Sequence, residues 1–104
     1  MAKYVLAFHG GGMAETEEEQ ARVMAAWGTW MEGLGSALTD PGNPTSQSKT
    51  IHADGSVTIG GGANPVTGYT LLAAETLDAA VSLAKGCPIF ESGGSVEVIE
   101  TIEM

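Results

Sequence analysis

The residues Tyr4-Val5-Leu6-Ala7-Phe8 are apolar at every position, so a strand drawn through them has two apolar faces, Tyr4/Leu6/Phe8 and Val5/Ala7. Gly68-Tyr69-Thr70-Leu71-Leu72-Ala73-Ala74 reads in the same way. A strand that is apolar on both sides belongs in a sheet covered on both faces. This requirement constrains the fold strongly, because the sequence offers only two helices to do the covering.

The first helix opens at Thr16, where Thr16 and Glu19 have the spacing of a capping box, and Glu17, Glu18 and Glu19 suit the positive end of the helix dipole. A solvated cap explains this acidic run better than a metal site, because consecutive glutamates point around the helix. Ala21, Met24, Trp27, Met31 and Leu34 recur at helical spacing, with Val23 and Trp30 beside the stripe, until Gly33 or Gly35 ends it. Thr76 caps a second helix with Leu77, Ala80, Val81 and Ala84 on one side, stopped by Gly86 and Pro88. Ser95 to Ile102 alternates as a final strand, and Ala37-Leu38-Thr39 is a short strand candidate. Lys49 to Ala53 and Ser56 to Ile59 read as a hairpin closed by a two-residue Asp54-Gly55 turn.

The order strand, helix, two or three strands, helix, strand is that of an α+β fold. It matches the ferredoxin-like split β-α-β sandwich, with two helices on one face of an antiparallel sheet. Two helices leave the second apolar face bare. A second copy of the chain is the simplest cover, and two sheets packed face to face make a dimeric α/β barrel.

At 104 residues the chain is the size of a single domain, 1–104. Four basic residues against 13 acidic ones give a net charge of −9, which excludes the basic patches that nucleic acids and anionic membranes require. With 43% hydrophobic residues recurring at structural periods, the chain is not a disordered acidic tail. Tyr4 to Phe8 is too short for a signal-peptide core or a membrane span. The lone Cys87 forms no intrachain disulfide. A cytoplasmic homodimer without nucleic-acid or membrane partners is the expectation.

The C-terminal third, GYTLLAAETLDAAVSLAKGCPIFESGGSVEVIETIEM, resembles the YCII-related family, near its DGPF-containing branch. The marks are the Gly68-Tyr69 strand start, Leu77-Asp78-Ala79-Ala80, Ala84-Lys85-Gly86-Cys87-Pro88 and Gly93-Gly94-Ser95-Val96-Glu97-Val98. The opening strand and the tryptophan-bearing first helix extend the likeness over most of the chain, and residues 40–66 match loosely. The resemblance implies a dimeric α/β barrel of ferredoxin-like protomers. For activity it implies less. In part of the family a histidine on the first helix and an aspartate on the following strand form a proposed catalytic dyad. Here that helix contains no histidine, and Ile59-Gly60-Gly61-Gly62-Ala63-Asn64-Pro65-Val66-Thr67 stands where the DGPF motif would be.

Phe8-His9-Gly10-Gly11-Gly12 looks like the oxyanion-hole loop of lipases and esterases, but no Gly-x-Ser-x-Gly nucleophile elbow accompanies it. No glycine precedes a lysine, so a Walker phosphate loop is excluded as well. The remaining candidates for acid–base chemistry are His9, at the end of the first strand, with Asp40 and Asp54. His52, Trp27 and Tyr69 are candidate ligand contacts, although a stripe tryptophan and a strand tyrosine are more often core. No metal or cofactor is expected, since two histidines and an aspartate without local spacing make a poor ligand set. Cys87, just past a helix end, lies where the dipole disfavours a thiolate.

The expected site is a cleft between the first-strand loop, the first helix and the polar loop 40–48. It would bind or transform a small organic molecule; whether the protein is an enzyme stays open. The alternative is a non-catalytic dimeric interaction or regulatory module.

Overall fold

The computed structural model describes residues 1–12 and 14–104. Its elements run β1 (Ala2–His9), α1 (Glu17–Leu34), β2 (Leu38–Asp40), β3 (Lys49–Ile51), β4 (Val57–Ile59), β5 (Val66–Ala74), α2 (Leu77–Ala84) and β6 (Ser95–Glu100). Short 3-10 turns cover Gly35–Ala37 and Pro88–Ser92. Both helices start on threonine caps, Thr16 accepting from the N–H of Glu19 and Thr76 from that of Ala79, each at 3.0 Å. These bonds satisfy donors that the first helical turn leaves free. Glu19 reaches back to the N–H of Glu15, one residue before the cap, at 3.1 Å.

The architecture is α+β. Four strands form one sheet in the order β2-β5-β1-β6, with every neighbouring pair antiparallel. The sheet is open at β2 and β6, so no barrel closes within the chain. Tyr4, Leu6 and Phe8 of β1 and Leu72 and Ala74 of β5 project to one side, where they form a single core with Leu34, Ala80, Ala84 and Ile89. Tyr4, Leu6 and Leu72 are almost fully buried there. The Trp30 indole ties the two helices together by donating to the Leu83 carbonyl at 3.1 Å.

The other side of the sheet carries Val5, Ala7, Tyr69, Leu71, Ala73 and Ile99 in register, Val5 lying between Leu71 and Ile99. Among the described residues no helix packs on it. The molecule is 18 Å thick along its shortest axis, the depth of one sheet plus one helical layer. Its radius of gyration of 15.1 Å exceeds the roughly 13 Å of a compact chain of this length. Flatness and a projecting hairpin account for the excess.

That hairpin, β3–β4, forms its own two-stranded sheet. The expected two-residue Asp54-Gly55 turn is replaced by a three-residue loop, Ala53-Asp54-Gly55. His52 pairs with Ser56, the Gly55 N–H bonds the His52 carbonyl at 2.9 Å, and Gly55 takes φ +91°. A type I turn ending in a left-handed glycine gives this loop the twist that the strands need.

The polar loop expected over residues 40–48 starts on β2, which includes Asp40, and its first half is held along β5. The Asn43 carbonyl accepts from the Tyr69 N–H at 3.2 Å, and the Thr45 N–H donates to the Thr67 carbonyl at 3.0 Å. Thr70, buried in the sheet, donates its hydroxyl proton to the Pro41 carbonyl at 2.9 Å. The segment acts as a strap continuing β2. Among the described residues no helix is long and apolar enough to cross a membrane.

Candidate functional site

Three glycines, Gly10 to Gly12, leave the end of β1 and let the chain swing away from the sheet before α1 begins. Gly10 and Gly11 sit at φ +70° and +82°, a region that side chains avoid. On the opposite side the strap crosses β5 so closely that a Cβ on Gly42 would overlap the Tyr69 carbonyl. Asp40 sets up this approach, its carboxylate accepting the Gly42 N–H at 2.8 Å.

Between the glycine loop, the strap and α1 lies a cavity of about 660 Å³. Val23, Trp27 and Met31, spaced four residues apart on α1, form one wall with Met24. Phe8 and the Thr67–Thr70 stretch of β5 form the floor, and Ile89 and Ser92 close one end. Aromatic packing fixes the floor. The Phe8 and Trp27 rings meet edge to face with centroids 5.2 Å apart, and Trp27 meets Trp30 in the same way at 5.7 Å. Such pairs add about 0.5–1.5 kcal/mol each beyond burial. The volume lies within the range of small-molecule sites, which are mostly apolar with a few placed polar groups.

The chemistry of the wall is limited. Alternation along β5 turns the Tyr69 ring to the bare face beside Ala7, and among the described residues no carboxylate, imidazole, amine or thiol borders the cavity. The arrangement can enclose and orient a molecule. It offers no acid–base pair.

Of the residues singled out from the sequence, Trp27 and Tyr69 border the cavity, although alternation along β5 turns the Tyr69 ring to the bare face beside Ala7, and the other four lie elsewhere. Alternation along β1 puts His9 on the face opposite Phe8, away from the cavity. Its Nε2 lies 3.2 Å from Glu97 Oε1, and its Nδ1 lies 3.1 Å from the Asn64 carbonyl and 3.3 Å from that of Pro65. The expected His–Asp pair is therefore absent. The carboxylate beside His9 belongs to Glu97 on β6, while Asp40 serves the strap. Asp54 serves the hairpin, accepting from the Ser56 N–H at 2.9 Å and its hydroxyl at 2.7 Å. The Ser56 side-chain bond, then its backbone bond, lowers the Asp54 pKa. His52 Nε2 meets Thr58 Oγ1 at 3.0 Å across the hairpin, and the two histidines do not converge. No group of three His, Cys, Asp or Glu residues is placed to hold a metal among the described residues.

Sequence reasoning passed over Gly42, Glu97 and the Ile89–Ser92 end wall. Gly42 left a signal in Asp40-Pro41-Gly42-Asn43, a turn sequence. Glu97 left none, because its partner is set by strand order. Compared with known protein families and with curated proteins, the sequence matches none.

Proposed function

We propose that this chain is a small-molecule-binding domain of the YCII-related type, acting as a homodimer in the cytoplasm. Its ligand is an organic molecule with a substantial apolar or aromatic part, held between α1, the glycine loop and the strap. One observation carries the reading: a cavity of about 660 Å³ walled by aromatic and thioether side chains, with no carboxylate, imidazole, amine or thiol bordering it among the described residues. A general acid or base must stand within hydrogen-bond reach of its substrate. The wall supplies binding surface instead, so binding is favoured over transformation.

The strand order β2-β5-β1-β6, with β1 and β2 parallel on either side of β5, supports the ferredoxin-like split β-α-β assignment. The uncovered face supports the dimer. Val5, Leu71, Ala73 and Ile99 present apolar side chains from three adjacent strands, and a second sheet laid on them would complete the dimeric α/β barrel. The buried, unpaired thiol of Cys87 suits a reducing compartment.

A neutral fluorescent probe such as N-phenylnaphthylamine tests the reading, with the two tryptophans as energy donors. Saturable binding at one site per chain, with quenching of tryptophan emission, is the expected result. A linear, non-saturating response would contradict it.

A further inference from the structure

Three threonines border the cavity, and each donates its hydroxyl proton to the backbone. Thr45 donates to the Val66 carbonyl at 3.0 Å, Thr67 to that of Gly10 at 3.0 Å, and Thr70 to that of Pro41 at 2.9 Å. A hydroxyl whose proton is engaged offers lone pairs, so towards a ligand these side chains are acceptors. The donors that remain in the wall are neutral ones, such as the Asn43 amide and the Ser92 hydroxyl. They can meet a carbonyl oxygen, but none carries the charge that would offset a desolvated carboxylate.

The rest of the chain acts in the same direction. No lysine, arginine or histidine lines the cavity among the described residues, and the chain carries nine more acidic than basic groups. Such a field draws cations towards a low-dielectric cleft and repels anions. Aromatic rings at Phe8 and Trp27 supply the surface on which an alkylammonium group is best tolerated without a counter-ion.

From this combination we infer that the cavity selects aromatic or alkyl amines in their ammonium form, and discriminates against carboxylates and other organic anions of the same size. The inference rests on the binding reading above and adds the charge class of the ligand.

The test is displacement of bound N-phenylnaphthylamine by three competitors that share one ring system: naphthylmethyl-trimethylammonium, naphthylmethanol and naphthoate. Displacement, unlike direct binding, ignores cations adsorbed on the acidic surface. The ammonium is expected to displace the probe at a concentration about tenfold below the carboxylate, with the alcohol between them. It should stay ahead at about 0.5 M salt, where charges are screened beyond about 4 Å and the wall alone decides. Naphthoate displacing as well as the ammonium would overturn the charge selection and leave the binding reading intact. A preference that vanishes with salt would overturn the role of the wall. Failure of the neutral probe itself to bind would remove the binding reading, and this inference with it.

Discussion

His9 and Glu97 meet on the sheet face that the helices leave bare, Nε2 3.2 Å from Oε1. The pairing is diagonal, since Ala7 is the direct neighbour of Glu97 and Ser95 that of His9. With its other nitrogen on the Asn64 and Pro65 carbonyls, the imidazole joins β6 to the glycine-rich segment that enters β5. His9 is 8% exposed while the Glu97 side chain is 62% exposed, so packing and the carbonyl bonds hold the ring more than the ion pair does.

A structural part for His9 has a measurable consequence. His9→Ala should lower unfolding free energy by about 1–2 kcal/mol in urea titrations, the range for a buried hydrogen-bonded side chain. Amide exchange in residues 60–66 should quicken, while probe affinity stays within about twofold of the parent, a limit of about 0.4 kcal/mol. Loss of binding with unchanged stability would instead return His9 to the site.

Two glycines should respond in opposite ways. Gly42, at φ +69° against the Tyr69 carbonyl, has no room for a Cβ, and Gly42→Ala should cost about 2–4 kcal/mol and weaken probe binding. Gly28 lies within α1 with open space around it, so Gly28→Ala should add about 0.5–1 kcal/mol through helix propensity. Thermal unfolding of both variants reads the contrast.

Burial pushes the Cys87 thiol up to about 11, against a smaller opposing contribution from its hydrogen bond with the Ile89 backbone. Iodoacetamide at pH 8 should leave the native protein unmodified and label it fully in denaturant, as intact mass would show. The neutral thiol is the form that the fold prefers. Its contribution to stability is complete below the unfolded pKa near 9 and is lost as pH rises from there through about 11.

The bare sheet face makes the association state a direct test of the dimer. Sedimentation equilibrium at micromolar concentration should give twice the chain mass of 10.6 kDa. Val5→Glu, which sets a carboxylate between Leu71 and Ile99, should return the protein to the chain mass while it remains folded. A parent protein that sediments at 10.6 kDa would remove the dimer from the proposal.

What could be read from the sequence was local or periodic. The apolar period of Tyr4 to Phe8, the Thr16 and Thr76 caps and the alternation of Ser95 to Ile102 each declare their element within a few residues, although the last strand stops at Glu100. So does the side of α1 that carries Trp27 and Met31. The hairpin was legible and its turn was not, because Asp54-Gly55 fits both a two-residue loop and a three-residue loop that ends in glycine. The strap stayed hidden for a different reason. It has no apolar side chain to mark it, and its bonds to Asn43, Thr45 and Pro41 come from β5, more than twenty residues on. His9 was misplaced relative to the cavity by parity. A histidine one position after Phe8 on a strand must point away from whatever Phe8 faces, and only the packing of Phe8 against Trp27 tells which side that is.

The measurement that bears most directly on the binding cavity is a chemical-shift map of the isotope-labelled protein titrated with N-phenylnaphthylamine. Saturating shifts should centre on the Trp27 indole N–H, the amides of Gly10 to Gly12 and those of Thr67 to Thr70. Glu97, Ile99 and the β3–β4 hairpin should stay still. Shifts confined to the open sheet face or the hairpin, or none that saturate, would contradict a ligand site between α1 and the strap.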